Sequence, residues 1–278
     1  MHPKEDLLFL VKEQLALELG CEAAAFDRVE NTVVALPAMT EEGMGAGRDG
    51  ELRILCFGKG AVAGIPRSLL SPCRPLFAGV EGTRLFDFPA MARIDRVLSR
   101  YGRELGVSQT FFLPAGPGKA PHSGREVSLR VLSREETGVL RASRRFPHAL
   151  GHREIALALA GFEGEELAGV AAAGIDGGRL WQIGVDVKPK SRGKGVGGSL
   201  VAALTRAGFA WGRVPYYGTW NANILSKRLA LSAGYYPAWI EMRSFPKEGC
   251  LRRSCGRGGS EEGLKRGFHQ KVGKIGGC

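Results

Sequence analysis

Four glycines in six positions, Gly193, Gly195, Gly197 and Gly198, follow the cations Lys188, Lys190 and Arg192 and enclose Lys194 and Val196. Glycine lets a backbone curl so that successive N–H groups aim at one point. The apolar run 180–187 before the loop reads as a strand. Leu200, Leu204, Ala207 and Trp211 behind it fall on one face of a helix from about 199 to 211. The N-terminus of that helix adds partial positive charge to the same place. Strand, glycine loop and helix together make an anion site, suited to phosphate.

Residues that are missing narrow the choice of phosphate ligand. Gly193, Gly195 and Gly198 match G-x-G-x-x-G in form, but a dinucleotide site needs an acidic residue about 20 positions later to hold the ribose. From Val187 to Ile240 there is no Asp or Glu, against eight Lys or Arg. The strand also ends too far ahead of the first glycine for a dinucleotide turn, and no G-K-[ST] follows to make a P-loop.

The run 185–200, V-x-V-x-P-x-x-R-G-K-G-V-G-x-x-L, resembles the acetyl-coenzyme A motif of the GCN5-related N-acetyltransferase (GNAT) superfamily. Downstream, Asn223, Ser226, Gly234 and Tyr235 fall where that superfamily's second motif carries Asn, Ala, Gly and Phe. The resemblance covers about 127–241. It implies that backbone groups of Val185 and Val187 pair with the pantetheine arm. It also implies that the N–H groups of Gly193, Lys194, Gly195, Val196, Gly197 and Gly198, with Arg192 and Lys194 beside them, cradle the pyrophosphate. Asn223 would reach the pantetheine, a role compatible with capping its helix. The implied activity is N-acetyl transfer from acetyl-CoA to an amine, small-molecule or peptide. The other reading is a non-catalytic acyl-CoA binding module.

Acetyl transfer needs a base to free the amine and an acid to protonate the leaving thiolate. Many superfamily members use a Tyr seven positions after the motif Asn, and here that position is Ala230. Tyr216 and Tyr217 on the preceding strand are the nearest replacements. Only one can face the cofactor, and Tyr217 is the expected acid. Asp186, between Val185 and Val187 and on the opposite side of the strand from both, is the expected base. Glu241 and His148 are weaker candidates.

These residues need a frame. Strands are expected at 127–132, 165–173, 179–187 and 214–219, and helical pieces around 134–144 and 152–159. The fold class that the resemblance implies is α/β (α+β): a GNAT-like mixed, mostly antiparallel sheet with helices on both faces. It should splay between the strand ending at Val187 and the strand around Tyr217. Ahead of it, 1–113 reads as a smaller α/β domain of unassigned role, with a helix over 6–19, strands at 53–57 and 109–113, and a helix over 90–105. The Pro/Gly-rich stretch 114–125 reads as a linker, 126–245 as the acetyltransferase-like module, and 246–278 as a disordered tail.

The tail holds nine glycines and a net charge of +5, close to half of the chain's +11. Much of the basicity is therefore no argument for a folded nucleic-acid surface, and no helix-turn-helix, zinc-finger or RNP signature is present. Cys250, Cys255, His269 and Cys278 have no usual zinc spacing, so no metal is expected. The longest apolar run, 155–162, is far short of the ~20 residues a bilayer crossing requires. With charges mixed into the N-terminal apolar run and only six cysteines, a cytoplasmic protein is expected.

Overall fold

A computed structural model describes residues 4–37, 51–116 and 127–247. The expected linker from 117 onward and the tail from 248 lie outside the described residues, as do the four tail Cys and His positions. In chain order the elements are α1 (Lys4–Leu19), β1 (Thr32–Ala35), β2 (Arg53–Cys56), β3 (Ala61–Ile65), α2 (Arg67–Cys73), α3 (Phe88–Ser99), β4 (Arg103–Leu105) and β5 (Gln109–Pro114). They continue with β6 (Ser128–Val131), α4 (Arg134–Ala142), α5 (Pro147–Leu150), β7 (Ile155–Glu163), β8 (Glu166–Asp176) and β9 (Leu180–Val187). The last are α6 (Val196–Ala210), β10 (Val214–Trp220), α7 (Ile224–Ser232) and β11 (Tyr235–Pro246).

Local sequence explains most boundaries. In α1, Leu7, Val11, Leu15 and Leu19 are buried at helical spacing, and Gly20 at φ 71° ends the helix. A capping box starts α4: the Ser133 hydroxyl accepts from the Glu136 N–H (3.1 Å), and the Glu136 carboxylate accepts from the Ser133 N–H (2.8 Å). The helix expected over 90–105 stops at Ser99, and its last residues turn back as β4 against β11.

The helix expected over 152–159 is instead the start of β7. Its sequence, IALALAGFE, is rich in helix formers, but the segment pairs with β8 along its length and with β6 on the other side. Small residues on the strands also serve packing. A Cβ added at Gly161 or Gly169 would come within 3.2–3.4 Å of Val196 and Leu200 on α6, so α6 lies close on these strands only because they are small there. Tertiary burial overrides local propensity.

Among the described residues the strands form one sheet in the order β1-β3-β2-β11-β5-β10-β9-β8-β7-β6, with β4 joined to β11. Pairs β1–β3 and β9–β10 are parallel and the rest antiparallel, so the sheet is mixed and mostly antiparallel. Over β7–β10, α6 and α7 cover one face, here the back, through Trp181, Ile183, Leu200, Leu204, Tyr217 and Tyr235. On the front, α1 packs on Leu55, Val62, Phe111 and Tyr216, and α4 and α5 pack on Ala158, Val170 and Ala172.

The sheet does not divide at the expected domain boundary. Strand β5, from the segment read as N-terminal domain, lies between β10 and β11 and is antiparallel to both. Phe112 on its back face is 1% exposed. The Pro/Gly-rich stretch after it marks a change in composition, not a gap between sheets.

At the junction of α1, β2 and β11, the buried Arg53 guanidinium donates to Glu18 and to Glu241, both at 2.8 Å. Arg243 donates to the same Glu241 oxygen at 2.6 Å. Burial alone would raise the Glu241 carboxyl, but Arg243 and Arg53 hold it down at about 2, against an ordinary 4.5. A depressed folded-state value means the contribution to stability is full above pH 4.5 and is lost as pH falls toward 2. Glu18 is raised by burial, so its protonation works the other way. We expect Glu241→Gln to flatten the fall of Tm between pH 4.5 and 2, measured by thermal melts across that range.

Candidate active site at the opened strands

Parallel strands β9 and β10 pair over Leu180–Val214, Trp181–Pro215, Gln182–Tyr216 and Ile183–Tyr217, where the ladder stops. Residues 184–187 stay paired to β8, and 218–220 to β5. The two strands thus part at their carboxyl ends, where open α/β sheets take ligands.

The glycine loop lies beyond the end of β9. Gly193 and Gly195 have φ of 75° and 87°, conformations open mainly to glycine. Helix α6 begins at Val196, with Gly195 as N-cap, earlier than the expected 199. The first N–H groups of α6 therefore lie within the loop. At Gly197 a Cβ would meet Leu229 and Val187 at 3.2–3.3 Å, so its smallness lets α6, α7 and the end of β9 converge. These features fit a phosphate-bearing ligand whose arm runs into the opening.

The loop is less purely basic in space than along the chain. Lys188 and Lys190 pair with Glu166, and Lys194 lies 3.3 Å from Glu163, both acids coming from the β7–β8 hairpin. Ser191 also bonds Glu163. Arg192 donates from Nε to the Val187 carbonyl at 3.2 Å, a group expected to face pantetheine. The pairs at Glu166, itself half exposed, are weak and open to exchange with a phosphate.

On the back face, Tyr217 is buried and its hydroxyl is 2.8 Å from Ser226 Oγ on α7. Burial raises its pKa and the nearby Asp186 charge adds to this, while the Ser226 bond lowers it. Tyr216 points to the front and donates to Asp176. The alternation expected of the two tyrosines holds. Asn223 caps α7, its Oδ1 accepting from the Ser226 N–H at 3.2 Å. Ala230 is fully buried.

Asp186 does point away from Val185 and Val187, but its Oδ2 accepts the backbone N–H groups of His148 (2.8 Å) and Ala149 (2.9 Å). A carboxylate oxygen so engaged pins α5 to β9, which argues against the base role read from sequence. Glu241 is far too acidic for a base near neutral pH and is held by two arginines. His148 is exposed on α5, its ring 6.0 Å from Trp220 of β10, so it spans the opening from β9 to β10. Sequence reasoning passed over His152, whose ring lies over Gly174 and Gly184. No spacing rule marks a histidine that packs across a sheet, and its one local signal was a place just before a strand misread as helix.

Among the described residues no group of three or more His, Cys, Asp or Glu could hold a metal, and no helix is long and apolar enough to cross a membrane.

No curated protein matches the sequence. Among solved structures the chain is similar to a GCN5-related N-acetyltransferase from Kribbella flavida, at 19% identity over 57% of this chain and 65% of that one, with a TM-score of 0.43. It thus spans just under two thirds of that relative. It is also similar to the aminoglycoside N-acetyltransferase AAC(6')-Iy in complex with CoA, at 18% identity over 41% of this chain and 91% of that one, with a TM-score of 0.34. Residues 129–235 match the family model described as acetyltransferase (GNAT) family. The segment that contains the parted strands, the glycine loop and helices α6 and α7 is therefore a domain of the GNAT acetyltransferase family.

Proposed function

We propose that this protein transfers the acetyl group of acetyl-CoA to a primary amine. The observation that carries the reading is the opening of β9 from β10 beside a helix capped by a positive-φ glycine. Backbone groups of Val185 and Val187 would hold the pantetheine arm. The N–H groups from Gly193 through Lys194, Gly195, Val196 and Gly197 to Gly198, helped by Arg192 and Lys194, would hold the pyrophosphate, and Asn223 would border the arm while capping α7. When bound, acetyl-CoA supplies an activated acyl carbonyl with a thiolate leaving group.

Tyr217 serves as the acid: its hydroxyl, kept protonated by burial, donates its proton toward the leaving sulfur and recovers one through Ser226. Asp186 is a positioning residue that fixes α5 on the front face, where the amine docks. The acceptor is a small molecule or a peptide amine, and neither nucleic acid nor a membrane is part of the reading.

A panel of polyamine, aminoglycoside, amino acid and peptide amines, assayed by free-thiol release, tests this. Turnover above the amine-free rate supports it. The buried Ala230, where the superfamily's Tyr would stand, favours the second reading of binding without chemistry, and acetyl-CoA binding with no turnover over the whole panel would support that one. Under the first reading, Tyr217→Phe lowers kcat about 100-fold and leaves acetyl-CoA affinity unchanged by calorimetry. A decrease in affinity matching that in kcat would mark Tyr217 as structural.

A further inference from the structure

The front face carries an imidazole that the scheme above does not use. His152 sits between α5 and β7, and its ring spans two strands: Cγ and Nδ1 lie where a Gly174 side chain on β8 would start, and Nε2 where one on Gly184 of β9 would start. Gly174 pairs with Gln182, and Gly184 with Ala172, so Gly174 and Gly184 lie on adjacent strands near the parting point. A side chain at Gly174 would start 2.3 Å from the ring, and one at Gly184 would start 2.2 Å from the His148 carbonyl oxygen and 2.8 Å from Nε2. Gly174 thus forms a seat for this ring, whose far end shares the space over Gly184 with the His148 carbonyl.

The ring's direction matters. From Nδ1 to Nε2 it runs from β8 toward β9, which is toward β10 and the opening. Gly184 is the first residue of β9 past the last paired position, Ile183. Nε2 is buried and has no hydrogen-bond partner among the described residues. A buried polar nitrogen without a partner is costly and uncommon, and this one is at the mouth of the proposed acyl site.

We propose that His152 Nε2 is the base that takes the proton from the attacking amine, an inference that rests on the acetyl-transfer reading. The amine nitrogen gives a proton to Nε2, within hydrogen-bond reach or through one bound water, and the imidazole becomes imidazolium. The freed lone pair forms the C–N bond to the acetyl carbon, the nitrogen releases its remaining excess proton to water, the C–S bond breaks with its electron pair on sulfur, and Tyr217 protonates that sulfur. The imidazolium then returns its proton to solvent. The surroundings suit the task. Burial lowers the pKa and Arg141 on α4 lowers it too, while Asp176 on β8 opposes them. The His148 carbonyl on α5 lies beside the ring's far end over Gly184, and Arg141 also bonds the His152 carbonyl. The ring is neutral at neutral pH and free to accept.

The test uses the full chain with isotope-labelled histidines, the His152 signals being assigned through His152→Gln. Acetyl-CoA alone is titrated while calorimetry records binding. The expected result is that the His152 imidazole resonances move on binding, in wild type and in His148→Gln. With an amine turned over in the panel, kcat/KM of wild type falls at low pH with a midpoint below 6.5. His152→Gln is expected to bind acetyl-CoA normally, melt as wild type, lose that acidic limb and lose at least about 100-fold in kcat. Binding with unmoved His152 signals, an acidic limb that vanishes in His148→Gln instead, or His152→Gln within a few-fold of wild type would each overturn the assignment. If acetyl-CoA does not bind at all, the acetyl-transfer reading fails first and this falls with it.

Discussion

Removal of residues 1–113 is expected to leave a chain with no cooperative unfolding transition, because the cut takes away an interior strand of the sheet. Without β5, strands β10 and β11 each lose an antiparallel neighbour. Their backbone N–H and C=O groups would be left unpaired between two packed faces, or exposed as new edges open to association. The back-face core loses Phe112 and the front loses Phe111 and Leu113. In the intact chain Phe112→Ala alone should cost about 3–5 kcal/mol, a large part of the ~5–15 kcal/mol that holds a domain folded. Circular dichroism melts and gel filtration of the 114–278 fragment decide the matter. A monomeric fragment with a sharp melt and intact acetyl-CoA binding would mean that the sheet closes without β5.

The second large effect is expected of Gly195→Glu: acetyl-CoA binding by calorimetry should weaken by about four decades. Two causes add. A side chain at φ 87° costs about 1–2 kcal/mol. A carboxylate within ~4 Å of a phosphate is repelled by about 4 kcal/mol at the effective dielectric of a protein surface, or nearly three decades. Gly195→Ala carries only the strain, so it separates the two. Undiminished binding in a folded Gly195→Glu would place the pyrophosphate elsewhere and undo the cradle assigned to 193–198.

The glycine loop and the helix behind it, on which the proposed cofactor cradle rests, were readable because they are local. The chain that supplies the N–H groups is contiguous, the glycines show in the sequence as glycines, and Asn223 is a cap wherever it stands. Chemistry that crosses the sheet was not. The acids that meet Lys188, Lys190 and Lys194 belong to a hairpin some 25 residues earlier. A segment free of acids along the chain is therefore not free of them in space. Asp186 was rightly assigned a face, but the turn of helix that consumes its carboxylate has only four residues, too few to show a period. Helix was expected over 152–159 because Ala and Leu favour it locally, while pairing on both edges decided for strand. Likewise the Pro/Gly-rich break suggested two domains because composition reports solvent exposure of a linker, and strand order leaves no trace in composition.

The position of β5 also bears on how the chain is made. Its partners in the sheet, β10 and β11, begin about 100 and 121 residues after it ends. At about 5–20 residues per second of synthesis, Phe111, Phe112 and Leu113 emerge roughly 6–24 s before the last strand that covers them is translated. For most of that interval, until β10 follows, a short, two-phenylalanine strand waits without a neighbour on either edge. Both edges of β5 are thus paired only once β11 has been made, and until then 109–114 is an apolar strand with an open edge.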